Sequence, residues 1–228
     1  MTTSLASVVA ADVEARAQQL RERLDRLGAS GVTVVAVTKG FDRSAVDAAL
    51  GCGFEDLGEN YAQELIGKVE AGSPDAPRPR WHMIGRLQRN KVRALAPHVT
   101  LWQSVDRLEL GREIAKHAPT AHVLVQVNIS GEEQKGGCPP EEVGRLVEAL
   151  GDLGLTVRGL MAVGPTGPPA AALEPFRRVV AIADDLGLPI RSIGMSADLD
   201  VAIAAGSTMV RVGSALFGPR GPASGVRH

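Results

Sequence analysis

An α/β barrel of eight parallel strands is the fold class this sequence predicts, and three observations predict it. Eight short apolar runs recur at near-regular intervals, and seven of them lead into helical segments. Strict alternation of strand and helix implies a parallel sheet, and eight units is the number at which such a sheet closes on itself. The runs are apolar on both parities, as VTVVAVTK at 32–39 shows, which suits strands covered on both faces. The competing architecture, an open doubly wound sheet, would want a Gly-x-Gly-x-x-Gly fingerprint after its first strand, and none follows here. One such barrel takes up the chain, so a single domain over 1–228 is expected.

The elements follow in order. Residues 4–28 are rich in Ala, Arg, Glu and Leu, with Leu20, Leu24 and Leu27 at helical spacing before Gly28, so an extra amphipathic helix precedes the first strand within 1–30. The first strand, 32–39, closes on Lys39. SAVDAALGCG is a short helix, FEDLGEN a second strand and YAQELIGKVEAG its helix; SPDAPRPR is a Pro-rich connector. A third strand runs from Trp81 to about Gly85, and a basic helix follows it up to Pro97. VTLWQSVD and RLELGREIAKHAP form the fourth unit. HVLVQVNIS is the fifth strand, with the loop GEEQKGGCPP and the helix EEVGRLVEALGDLG. TVRGLMAVGP and ALEPFRRVVAIADDLG form the sixth unit, and IRSIGM and TMVRVG are strands seven and eight. The tail from Pro219 is expected to be disordered.

Composition narrows the function classes. A net charge of -1 gives no global field to draw nucleic acid or an anionic membrane surface. No apolar run approaches the roughly 18 residues of a membrane helix, and the N-terminus lacks a basic leader, so a cytoplasmic protein is expected. Aromatic residues are 3% of the chain, so the core must be aliphatic. Cys52 and Cys138 show neither Cys-x-x-Cys nor Cys/His spacing, which argues against a zinc site or a disulfide; no metal is expected.

In a barrel the reactive groups sit where strands end. Lys39 ends strand one, Glu59 and Asn60 strand two, and Asn128 strand five; His82 lies within strand three. Met195 and Ser196 end strand seven, and Arg211, Gly213 and Ser214 end strand eight. Each has an ordinary reading as well: Lys39 as solvated surface, His82 as a satisfied core histidine, Asn60 as a helix N-cap. Arg211 resists it, because a guanidinium inside MVRVG must be buried and needs an acceptor. GMSADLD places Ser196 at an N-cap with Asp198 and Asp200 in the first turn, and VGSALFG offers free N–H groups around Gly213 and Ser214. Together they make an anion site or, alternatively, plain capping chemistry.

From Val32 to Gly218 the motifs AVTKG, LGENYAQE, WHMIGRLQRNK, VQVNISGEEQKGG, GLMAVGP and IGMSADLDVAIAAGSTMVRVGSALFG occur in an order that resembles the pyridoxal phosphate homeostasis protein family. The resemblance implies a single-domain barrel of pyridoxal 5'-phosphate (PLP) fold-type III, similar to the N-terminal domain of alanine racemase. It also implies PLP as cofactor and a role in vitamin B6 balance without established turnover. Carried over by motif, Lys39 is the Schiff-base lysine and Asn60 lies near the ring. Ser196, with Gly213 and Ser214, holds the phosphate, Met195 is a further cofactor-binding residue, and Arg211 faces the pyridine nitrogen. The sequence departs from the family pattern at Thr38-Lys39-Gly40, Leu57 and Met83, which alters packing near the ring.

Three functions share these residues. The first is a PLP carrier or buffer, monomeric, with PLP-dependent apo-enzymes as partners. The second is a racemase-like PLP enzyme, disfavoured because the eight units leave no room for a second domain to supply an acid or base on the opposite face. The third is a barrel enzyme acting on a phosphorylated metabolite, with Lys39 as nucleophile and Glu59 or His82 as proton shuttle. Lys135, in the Gly-flanked loop GEEQKGG, is either a solvated lysine or a second amine that receives PLP during transfer.

Overall fold

The computed structural model describes residues 5–74 and 77–219, apart from the side chain of Glu133. Eight strands form one closed barrel in sequence order: β1 (Thr33–Val37), β2 (Asp56–Glu59), β3 (Arg80–Met83), β4 (Val99–Val105), β5 (His122–Val127), β6 (Thr156–Ala162), β7 (Ile190–Met195) and β8 (Met209–Val212). Every neighbouring pair is parallel, and β1 closes on β8 in the register Thr33↔Met209 to Ala36↔Val212. The helices are α1 (Ala10–Arg26), α2 (Arg43–Gly51), α3 (Ala62–Glu70), α4 (Val92–Leu95), α5 (Leu108–His117), α6 (Val143–Asp152), α7 (Leu173–Asp185), α8 (Leu199–Ala205) and α9 (Ser214–Phe217).

The expected barrel is present, with two differences in its helices. The basic helix expected up to Pro97 shrinks to a 3-10 turn at Arg89–Lys91 and the single turn of α4. Gln88 gives no side-chain capping hydrogen bond, so nothing from that residue supports a longer helix at this end. The eighth strand, for which no helix was expected, is followed by α9, and α1 completes the outer ring beside it. Val13, Ala17, Leu20 and Leu24 recur every three or four residues along α1 and are buried. They pack towards α9 and α2, and Arg23 reaches Asp200 of α8 at 2.7 Å. The leading helix therefore fills the gap that a four-residue α9 leaves. The expected disorder of the tail concerns residues that, from 220 on, lie outside those described.

Apolar side chains fill two layers. Between sheet and helices, residues such as Leu65, Trp102, Ile114 and Phe176 are fully buried. Inside the barrel, Val35, Leu101, Leu124, Met161 and Met209 form a smaller cluster. Because successive strand residues face opposite ways, one parity of each strand faces the barrel axis and the other faces the helices. That parity decides which strand-end residues can share a site.

Candidate functional site

On β1 the inward parity runs through Val35 and Val37 to Lys39, just past the strand end. On β2 it runs through Asp56 and Gly58 to Asn60. A Cβ on Gly58 would lie 3.0 Å from Val35 and 3.1 Å from Ile84, inside the barrel. Lys39 and Asn60 thus reach the C-terminal mouth, where a cavity of about 460 Å³ opens, a volume suited to a small cofactor. Met195 and Ser196 enter it from β7, Arg211, Gly213 and Ser214 from β8, and Lys135 from the loop after β5. Ile84, Met161 and Val163 give it an apolar wall that sequence reasoning did not single out.

The backbone around Lys39 is fixed from α3. Lys68 Nζ donates to the Thr38 carbonyl at 2.7 Å, and Gly40 N–H donates to Glu64 Oε2 at 2.7 Å. Lys68 also pairs with Glu59, which accepts from Thr38 Oγ1 at 2.5 Å. Glu59 and Lys68 are 0% and 2% exposed, and burial pushes the Glu59 carboxyl up from its ordinary value against the lowering by Lys68 and Thr38. Glu59 therefore faces α3, one position off the inward parity, and does not line the cavity. The expectation that it could shuttle protons there is corrected. Sequence reasoning missed Lys68 and Glu64; their i,i+4 spacing in α3 was the available signal.

Two glycines admit the close approaches this mouth needs. A Cβ on Gly85 would come 2.2 Å from the Asn60 carbonyl oxygen, so only glycine lets the chain just past β3 run beside Asn60. Gly194 sits at φ 93°, and a Cβ there would lie 2.3 Å from the Ala202 Cβ. The pairing of β7 with β8 shifts register between Ser192 and Met195, the stretch that contains it. The N-cap of α8 is Asp198 and not Ser196; the Asp198 carboxylate closes the turn by accepting from Met195 N at 2.5 Å. Ser196 Oγ instead accepts from Gly213 N at 3.3 Å and Ala215 N at 3.2 Å. The Gly213 amide expected to be free is thus engaged by a hydroxyl, the kind of partner an anion oxygen could replace.

Arg211 is 4% exposed and sits at the cavity floor. Nη1 donates to the Ser192 carbonyl at 2.6 Å and to Ser192 Oγ at 2.7 Å, and Nη2 donates to the Ala162 carbonyl at 2.8 Å. Burial pushes its pKa down to about 10, so it remains protonated at neutral pH. His82 does not line the cavity. Its Nε2 lies 3.0 Å from Asp56 Oδ1 and its Nδ1 2.7 Å from Gln103 Nε2, both inside the barrel, so the ordinary reading holds and the shuttle role does not.

Lys135 is held and not solvated: Nζ donates to Glu132 Oε1 at 2.6 Å and to the Gly164 carbonyl at 2.7 Å. Hydrogen bonds from Lys135 and Thr166 hold the Glu132 carboxyl down at about 2. Asn128 caps that loop, accepting from Gly131 N at 3.0 Å, and stays out of the cavity. Burial raises the thiols of Cys52 and, up to about 12, Cys138, which disfavours the reactive thiolate in both. Among the described residues no group of three or more His, Cys, Asp or Glu could hold a metal ion, and no helix is long and apolar enough to cross a membrane.

Residues 10–221 match the family model of the alanine racemase N-terminal domain. The pyridoxal phosphate homeostasis protein of Pseudomonas aeruginosa is 42% identical over 224 residues, covering 94% of this chain and 96% of that protein. The protein of the same name from Escherichia coli K12 is 37% identical, covering 92% of this chain and 97% of its own length. PipY of Synechococcus elongatus, solved with PLP bound, superposes with a TM-score of 0.80 at 30% identity, covering 90% of this chain and 100% of PipY.

Proposed function

The chain belongs to the pyridoxal phosphate homeostasis protein family, and from that premise we propose that it binds PLP as a Schiff base on Lys39 and serves intracellular PLP balance as a carrier or buffer. The observation that carries this reading is the joint presence of an amine, Lys39, and a buried guanidinium, Arg211, in one cavity of about 460 Å³. Bound there, PLP supplies an aldehyde that a lysine amine captures reversibly and a ring that withdraws electrons.

The residues suit such a ligand. Asn60 Oδ1 is a buried acceptor with no partner among the described residues, and it borders the cavity, so a ligand donor could satisfy it. The turn of Ser196, Gly213 and Ser214 is assigned the phosphate and Arg211 the ring nitrogen. Arg211 has only donors and stays protonated, so it favours an unprotonated ring nitrogen, a weaker electron sink. That suits holding PLP better than broad amino-acid chemistry. We place the protein in the cytoplasm as a monomer that hands PLP to apo-enzymes, with Lys135 available as a second amine at the mouth.

Borohydride trapping of PLP-loaded protein followed by peptide mapping tests ligand and attachment together. The modified peptide should contain Lys39, and Lys39→Ala should lose the visible absorption band. A wild-type protein that takes up no PLP, or a trapped adduct on another lysine, overturns the reading.

A further inference from the structure

The interior of a parallel barrel is ordinarily filled by layers of branched aliphatic side chains. Here a line of polar side chains crosses it from the opposite end of the barrel to the cavity floor. Arg211 Nη1 lies 2.7 Å from Ser192 Oγ, and Ser192 Oγ lies 2.7 Å from Gln103 Oε1. Gln103 Nε2 lies 2.7 Å from His82 Nδ1, and His82 Nε2 lies 3.0 Å from Asp56 Oδ1. His82, Gln103, Ser192 and Arg211 are at most 4% exposed. Asp56 is gripped from outside by Arg80, at 2.9 and 2.7 Å.

The two ends fix the direction of every link. A guanidinium only donates and a carboxylate only accepts. Burial works to raise the Asp56 carboxyl, and the hydrogen bonds of Arg80 and His82 outweigh it, so Asp56 stays ionised. Ser192 Oγ accepts from Arg211, so its single proton goes on to Gln103 Oε1. The Gln103 amide then turns its NH2 to His82 Nδ1 and to Met209 Sδ, at 3.3 Å. His82 Nδ1 accepts, which leaves its ring proton on Nε2 for Asp56. Reversing any single link sets donor against donor or acceptor against acceptor in a buried site.

We propose that Gln103 and His82 are positioning residues for Arg211, holding it through this one-way chain in a fixed donor orientation at the floor of the cofactor cavity. The inference rests on the PLP reading for its consequence and on the ligand-free protein for its geometry. The acceptors that Arg211 meets directly, Ser192 Oγ and the carbonyls of Ser192 and Ala162, are all neutral, and the carboxylate of Asp198 supports its charge through space. The distant carboxylate of Asp56 orders the chain without contacting the guanidinium.

The test begins with the ligand-free protein labelled with 15N. The His82 ring should show an unprotonated Nδ1 and a protonated Nε2, and Arg211 should give separate, slowly exchanging guanidinium N–H signals. Gln103→Glu keeps the shape but replaces the donor towards His82 by an acceptor, so Nδ1 should acquire a proton. Gln103→Met removes both links, and the Arg211 signals should merge. Loaded with PLP, both variants should display a displaced visible band while affinity stays within about threefold of wild type. The opposite His82 tautomer in the wild type, or bands and Arg211 signals in both variants that superimpose on wild type, overturns the proposal. If both Gln103 variants fail to fold, the wild-type tautomer and the Arg211 signals decide it. Failure of the wild type to take up PLP would sink the PLP reading alone, because the nitrogen signals are read without ligand.

Discussion

Replacing Lys68 by methionine should be the most damaging single change away from the cavity itself. Lys68 and Glu59 are 2% and 0% exposed, and Lys68 also holds the Thr38 carbonyl next to Lys39. Removing one partner of a buried pair leaves the other charge uncompensated, at a cost of about 3–5 kcal/mol. For a chain of this size each kcal/mol lowers Tm by about 2–4 °C, so Lys68→Met should melt roughly 6–20 °C below wild type at pH 8. Burial already raises the Glu59 carboxyl, and losing Lys68 removes the principal effect opposing it. An acid whose folded-state pKa lies above its unfolded value gains stability as pH falls through the folded value. The Tm deficit should therefore narrow between pH 8 and pH 5. The double variant Glu59→Met/Lys68→Met should recover most of the loss, short of about 1 kcal/mol for each partner that Thr38 forfeits. Thermal melts followed by circular dichroism at the two pH values decide the matter. A single variant within 1 kcal/mol of wild type, a deficit independent of pH, or a double variant no better than the single refutes the reasoning.

Three further outcomes follow from particular contacts. Gly85→Ala drives a Cβ to 2.2 Å from the Asn60 carbonyl, so the segments just past β2 and β3 must separate; a loss of about 1–3 kcal/mol in melts and weaker PLP retention are expected. Glu132, held down at about 2, is ionised at neutral pH, where it clamps Lys135 and Thr166, and the clamp loosens as pH falls towards that value. Glu132→Gln should accordingly quicken hydrogen exchange in loop 131–137 at neutral pH while leaving Tm unmoved. Cys138, buried and raised to about 12, should resist a thiol reagent at pH 8 in the native state and react on unfolding.

The strand count and order were legible because periodicity and β-branched runs report burial directly, and closure follows from eight parallel units. Lys39, Asn60 and Arg211 were legible as strand-end polar residues. Glu59 was misplaced because a strand end alone does not say which way a side chain points. The alternation Asp56, Gly58, Asn60 carried that information, and Glu59 falls between. The clamps and the core line were beyond reach: Ser192 meets Gln103 across 89 positions, and such a pairing is set by barrel register, which has no local signature. The role of α1 was hidden for the same reason, since only the closed ring exposes the gap beside α9.

Two buried cations serve the same mouth, Lys68 from behind Lys39 and Arg211 within the cavity, and the fold treats them differently. Lys68 is given a carboxylate, because its task is to hold the Thr38 carbonyl still and an uncancelled charge so near Lys39 would oppose a second cation there. Arg211 is bonded to a hydroxyl and backbone carbonyls, and burial lowers its pKa to about 10 against the opposing pull of the Asp198 carboxylate. A guanidinium left that way is costly, and a fold that needed only packing would gain by an apolar residue in its place. Its persistence beside Lys39 makes sense if a ligand with a lone pair completes its shell. An unpartnered buried acceptor at Asn60 and a charged donor at Arg211 in one cavity suit a ligand carrying both complements, which a pyridine ring bearing polar substituents provides.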